Sequence, residues 1–149
     1  MSKRIGDKAG YGRYSGPVAT GGQRPVVLVV DDEPAIRLLC KVNLELDGFR
    51  VVEAGSLDAA RALLDSEPVA VVLLDMHVGL ERGETLLDEI RGREPRLPVV
   101  LVSGSGNIDT RELKIDADVV LGKPFTIDEL TGAVRTLTGA GVLRSAGLR

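Results

Sequence analysis

Five short apolar runs constrain the fold of this chain more than any other feature. They are rich in Val and Leu, most lack alternation of polar and apolar residues, and they span residues 26–30, 51–52, 69–74, 99–102 and 119–121. Such runs are typical of parallel strands that are covered on both faces. Amphipathic segments separate the runs, and another follows the last. The alternating (βα)₅ order predicts a doubly wound, five-stranded parallel sheet.

The first predicted helix begins near Pro34, because proline is tolerated in a first helical turn. Ile36, Leu39 and Cys40 follow at core-facing spacing, and Gly48 ends the pattern. The positions of these apolar residues predict that one face of the helix packs on the sheet.

The remaining helices are predicted from caps and apolar spacing. Ser56 is the expected N-cap of the second helix, and residues 108–115 form a short fourth helix. Thr126 and Glu129 have the spacing of a capping box at the start of the last helix. The third helix is marked by Leu86, Leu87 and Ile90, and the last by Ile127, Leu130, Val134 and Leu137.

The chain of 149 residues is long enough for one domain with a substantial core. Residues 1–24 are rich in Gly, Ser, Lys and Arg without periodicity, so we expect a disordered basic leader, a folded domain over 25–137 and a flexible tail over 138–149. The leader carries a net charge of +4 and the tail +2, which leaves about −9 for the body. An acidic body is a poor match for nucleic-acid phosphates.

The sequence contains no apolar run long enough for a membrane span and no secretory signal pattern. We therefore expect a cytoplasmic protein with no membrane partner. Cys40 is the single cysteine, so an internal disulfide is impossible and a zinc site built on cysteine and histidine is excluded.

Polar residues follow four of the five predicted strands. The first strand ends in Asp31-Asp32-Glu33, the third in Asp75, the fourth in Ser103-Gly104 and the fifth in Gly122-Lys123-Pro124. The carboxyl ends of parallel strands meet at one edge of a doubly wound sheet, so we expect these side chains to share one crevice.

Close carboxylates repel one another, and a hard divalent cation would compensate that repulsion. Mg²⁺ suits a site made entirely of oxygen ligands. Asp75 offers an oxygen nucleophile that can attack an activated phosphoryl donor, with Lys123 as the compensating cation and Ser103 as a hydrogen-bond donor.

Together these motifs, in this order and at the ends of strands, resemble the receiver domains of bacterial response regulators in two-component signalling systems. The resemblance covers roughly residues 25–137 and rests on Asp31-Asp32-Glu33-Pro34, Val71-Val72-Leu73-Leu74-Asp75, Ser103-Gly104 and Lys123-Pro124-Phe125. It implies a flavodoxin-like strand order of 2-1-3-4-5. Val120 departs from the family, which usually has an aromatic switch residue at that position.

The resemblance also implies a function and a set of site residues. Asp75 would accept a phosphoryl group from the phosphohistidine of a sensor histidine kinase or phosphotransfer protein. Mg²⁺ would be held by Asp31, Asp32, Asp75 and the backbone carbonyl of His77. Ser103 and Lys123 would contact the phosphoryl oxygens, and the Lys123–Pro124 peptide bond would be cis.

The same resemblance suggests a regulator that catalyses at most its own phosphorylation and dephosphorylation. We expect a stand-alone receiver that signals to an unknown downstream protein, without a DNA-binding domain, and that forms at most a weak homodimer. One alternative is a Mg²⁺-dependent phosphatase acting on small phosphate esters through Asp75, for which His77 is the available general acid. Another is a flavin carrier, since the same strand order can hold a flavin.

Overall fold

The structure is a computed structural model that describes residues 23–104 and 116–139. It contains seven strands and four helices in the described ranges. The strands are β1 (Val26–Val30), β2 (Arg50–Ala54), β3 (Val69–Asp75), β4 (His77–Val78), β5 (Glu81–Arg82), β6 (Val99–Ser103) and β7 (Val119–Gly122). The helices are α1 (Pro34–Leu46), α2 (Leu57–Ser66), α3 (Gly83–Arg91) and α4 (Ile127–Thr138).

Five strands form one parallel sheet in the order β2-β1-β3-β6-β7. This order is the predicted 2-1-3-4-5 arrangement of the five long runs, and the predicted fold class is confirmed. The central strands are buried along nearly their whole length. Val27 packs in the core on one face of the sheet and Leu28 in the core on the other, which explains why the runs lack alternation.

The predicted caps are present. The Ser56 side chain accepts a hydrogen bond from the Ala59 amide at the start of α2. Thr126 and Glu129 form both halves of a capping box at the start of α4. The fourth predicted helix, over 108–115, lies outside the described residues, as do nearly all of the predicted leader and tail.

One core prediction for α1 is wrong. Cys40 is buried and Ile36 is partly buried, but Leu39 is 41% exposed. The inward position is taken instead by Leu44, one turn after Cys40. The spacing of the apolar residues in α1 is compatible with Leu39 facing either the sheet or the solvent. The packing of α1 against β2 and α4 turns Leu39 toward the solvent.

A second departure from the predicted fold is a hairpin after β3. β4 and β5 pair antiparallel in a separate two-stranded sheet, and Gly79 in the turn has a φ of 63°. Turns of such hairpins often need a residue with positive φ, and glycine adopts that conformation readily. The hairpin leads directly into α3.

The amino-terminal edge of the sheet is held by a charged network centred on Asp118, hereafter the Asp118 network. The Asp118 carboxylate accepts hydrogen bonds from Arg91 at 2.8 Å, from Arg96 at 2.6 Å and from the Val99 amide at 2.8 Å. Burial by itself would raise the pKa of Asp118, but the hydrogen bonds outweigh burial and hold that pKa below its ordinary value. The network ties α3 to the starts of β6 and β7.

No helix in the described ranges combines the length and the apolar character that crossing a membrane would require.

Candidate functional site

The opposite, carboxyl-terminal edge of the sheet brings the predicted site residues together. Asp31 follows β1, Asp75 ends β3, Ser103 ends β6 and Lys123 follows β7. The register of the parallel strands fixes the position of each residue along the sheet: Asp75 lies opposite Val102, and Ser103 lies opposite Gly122. This carboxyl-terminal edge, hereafter the rim, therefore brings together residues that are far apart in the sequence: Asp31 and Lys123 are separated by 92 positions.

Three carboxylates form the centre of this rim. One carboxylate oxygen from each of Asp31, Asp32 and Asp75 lies within 4.8 Å of the others. Asp31 and Asp75 are buried, whereas Asp32 is exposed. The group is thus open to solvent on one side and shielded by the sheet on the other.

Lys123 is the cation of the site. Its Nζ lies 2.9 Å from Asp75 Oδ2, 3.5 Å from Asp31 Oδ2 and 4.0 Å from Glu33 Oε1. Burial would lower the pKa of Lys123, but the hydrogen bond to Asp75 and the charges of Asp31 and Asp75 raise it above its ordinary value. Lys123 is consequently protonated at neutral pH.

The pKa of Asp31 is also raised, but from a different cause. Burial is the largest influence and raises the pKa of the Asp31 carboxyl. The Glu33 amide, which donates to Asp31 Oδ1 at 2.9 Å, acts against that rise, while the nearby Asp75 carboxylate adds to it. A buried carboxylate beside a second carboxylate is a strained electrostatic arrangement that a further cation would relieve.

The loop after Asp75 holds the carboxylate from its other side. The His77 amide donates to Asp75 Oδ1 at 3.2 Å, and the Gly83 amide donates to the Met76 carbonyl at 2.6 Å. His77 is exposed, and the contact recorded between His77 and Asp75 is made by the backbone.

Ser103 is buried at the end of β6, and its carbonyl accepts a hydrogen bond from the Lys123 amide at 2.7 Å. The Lys123–Pro124 peptide bond is cis, as the resemblance implied. A second cis bond, Glu94–Pro95, was not predicted.

Three contacts of the site were not predicted. Glu33 was recognised as part of the acidic motif but not as a neighbour of Lys123. Arg37 on α1 donates from Nη1 to the Asp31 carbonyl at 2.7 Å. A Cβ at Gly83 would lie 2.2 Å from the Asp75 carbonyl oxygen, so this glycine allows the chain to approach the end of β3 closely. The available signal for Arg37 was a basic residue in the first turn of α1, four positions after Glu33.

The donor set fits a hard divalent cation. The three carboxylates that could hold a metal ion offer oxygen atoms, which are the ligands that Mg²⁺ prefers. These features place the chain in the class of doubly wound α/β domains that carry an acidic pocket beside a half-buried lysine.

Comparison with known proteins gives the family. The family model of the response regulator receiver domain matches residues 27–135. The chain therefore belongs to the response regulator receiver domain family, whose members are signalling domains of two-component systems.

Individual relatives agree. A putative response regulator, NtrX-like, from Rickettsia felis is 39% identical over 108 residues, which cover 70% of this chain and 23% of that protein. The probable transcriptional regulatory protein TcrX from Mycobacterium tuberculosis is 32% identical, over 78% of this chain and 50% of that protein. The crystal structure of the receiver domain of NtrX from Brucella abortus has a TM-score of 0.69 and 35% identity, covering 76% of this chain and 98% of that one.

These relatives correct the predicted partners. The prediction that no DNA-binding domain accompanies the receiver took the end of the chain as the end of the protein. The curated relatives named above are two to four times longer than the part that this chain matches, and one is named a transcriptional regulatory protein. The prediction is wrong. A receiver folds around its own core, so its sequence does not determine which domain is joined to it.

Proposed function

We propose that this receiver accepts a phosphoryl group on the Asp75 carboxylate from a phosphohistidine donor, with Mg²⁺ bound beside it. The observation that carries the proposal is the position of Asp75 Oδ2. This oxygen lies 2.9 Å from the Lys123 ammonium. It belongs to the cluster of three carboxylates, in which Asp31 and Asp75 are buried and Asp32 is exposed to solvent.

The chemistry needs an oxygen nucleophile and a nitrogen leaving group. A carboxylate oxygen of Asp75 forms a bond to phosphorus while the bond between phosphorus and the donor imidazole breaks. The other ring nitrogen of the donor carries a proton, so when the electron pair of the broken bond returns to the first nitrogen, the products are an acyl phosphate and a neutral imidazole. Hydrogen bonds from the His77 amide and Lys123 orient the two oxygens of the nucleophile.

Negative charge is the main obstacle to this reaction, since a phosphoryl group must approach several carboxylates. Asp31, Asp32, Asp75 and the His77 carbonyl would hold Mg²⁺, in agreement with the oxygen-only donor set. When bound, the ion neutralises charge on the carboxylates and on the transferred group. Lys123 and Ser103 lie on the same rim and would contact the phosphoryl oxygens.

The phosphatase alternative gains no support from the geometry. A phosphatase needs a general acid directed at the leaving group. His77, the candidate for that role, has an exposed side chain and contacts Asp75 through its backbone amide.

The test is uptake of phosphate from acetyl phosphate and Mg²⁺, followed by intact mass. We expect one added phosphoryl group in the wild type and none in Asp75→Asn. Lys123→Ala should react about 100-fold more slowly, because a charge-compensating donor is lost. Asp88→Asn, which changes an exposed aspartate on α3, is the matched control and should behave as the wild type. Equal uptake by Asp75→Asn would refute the proposal.

A further inference from the structure

Arg37 connects α1 to the ends of two strands. Its Nη1 donates to the Asp31 carbonyl at 2.7 Å, and its Nε donates to Glu53 Oε1 at 3.2 Å. Only 20% of the Arg37 side chain is exposed. The guanidinium therefore lies over the junction of β1 and β2 and does not extend into solvent.

The space around this guanidinium is narrow. A Cβ built on Gly55, just after β2, would lie 3.0 Å from Arg37 Nη1. The hydrogen bonds to Glu53 and to the Asp31 carbonyl hold the planar group in one orientation. An ammonium on a flexible stem would not reproduce two divergent hydrogen bonds of this kind.

The contact completes the bonding of Asp31. Its amide donates to the Ala54 carbonyl at 3.1 Å, its Oδ1 accepts from the Glu33 amide, and its Oδ2 faces Lys123. The carbonyl is the remaining polar group of this buried residue, and Arg37 is its charged donor. Because the amide and the carbonyl of Asp31 are both hydrogen-bonded, its backbone has a fixed position, and this position orients the carboxylate on the rim.

We propose that Arg37 is a positioning residue for Asp31, acting through the backbone to aim that carboxylate at the divalent cation. The inference rests on the proposed function, because it assumes that Asp31 is a ligand. It makes a prediction that electrostatics alone does not. Removing a positive charge near a dication site should tighten cation binding by Coulomb's law, whereas loss of positioning should weaken it.

The experiment is a calorimetric titration with Mg²⁺, repeated with Mn²⁺ by electron paramagnetic resonance. We expect Arg37→Met to weaken binding about 10-fold, the lower end of the range for groups that orient metal ligands. Arg50→Met is the matched control: it removes an arginine in an exposed ion pair with Glu67 at the far end of β2, and its affinity should stay within about two-fold of the wild type.

A spectroscopic reading separates positioning from general stability. The NMR chemical shift of the Glu33 amide proton reports the hydrogen bond that this amide donates to Asp31 Oδ1. That chemical shift should change in Arg37→Met but not in Arg50→Met. If Arg37→Met does not fold, Arg37→Lys decides, with weaker binding and the same shift expected. Unchanged or tighter binding overturns the positioning role. If the wild type itself binds no Mg²⁺, or Asp31→Asn binds it as well as the wild type, the metal site of the proposed function fails instead.

Discussion

Replacing Gly83 with alanine should damage both the fold and the rim, although alanine is ordinarily the better residue in a helix. Gly83 is the first residue of α3 and is buried against β3. An added Cβ would lie 2.2 Å from the Asp75 carbonyl oxygen and 3.2 Å from the Met76 Cα. Both neighbours are backbone atoms, so no side chain can swing away.

The size of the effect follows from these distances. The backbone must separate by about 0.8 Å before the closest contact reaches 3.0 Å, below which real Cβ contacts essentially never occur. Overpacking of this kind destabilises a protein by about 2 kcal/mol. A displacement near 1 Å at a reacting group also lowers rates by about 100-fold, so phosphate uptake by Asp75 should fall toward that extent.

Gly132→Ala provides the matched control, because Gly132 lies inside α4 and an added Cβ would meet nothing within 4 Å beyond the adjacent residues and backbone of its own helix. Helix propensity should then stabilise the variant by about 1 kcal/mol. Urea unfolding followed by circular dichroism, together with uptake from acetyl phosphate, measures both variants. The reasoning is refuted if Gly83→Ala is as stable as Gly132→Ala, or if it takes up phosphate at the wild-type rate.

Three further outcomes are expected. In urea unfolding at pH 7, Asp118→Asn should lose about 2 kcal/mol of unfolding free energy. Because folding lowers the pKa of Asp118, the stabilising contribution of its carboxylate is present above pH 3.8, the ordinary pKa, and is lost as the pH falls through the folded pKa. A difference in stability between wild type and variant that persists unchanged in acid would contradict this reasoning. Thr126→Ala should cost about 1 kcal/mol through loss of the capping box, whereas Thr136→Ala, exposed in the same helix, should cost nothing; equal losses would argue against the cap. Mg²⁺ at about 100 times its Kd should stabilise the wild type by about 2.7 kcal/mol in thermal unfolding and should have little effect on Asp31→Asn; a similar gain in both would place the ion elsewhere.

Much of the candidate site could be predicted because strand ends in a doubly wound sheet converge. Once the five apolar runs were assigned as strands, Asp31, Asp75 and Lys123 had to lie on one rim, and the structure places them there.

The parts of this protein that depend on local chemistry follow directly from the order of its residues. Apolar runs set the strands, and Ser56 and Thr126 set two helix starts, because these signals act over a few residues. Three features follow only from the packing of elements against one another: the side of α1 that faces the sheet, the contact of Arg37 with the Asp31 carbonyl, and the approach of Gly83 to Asp75. Those contacts depend on the distance and angle between packed elements, which the spacing of residues along one element does not specify.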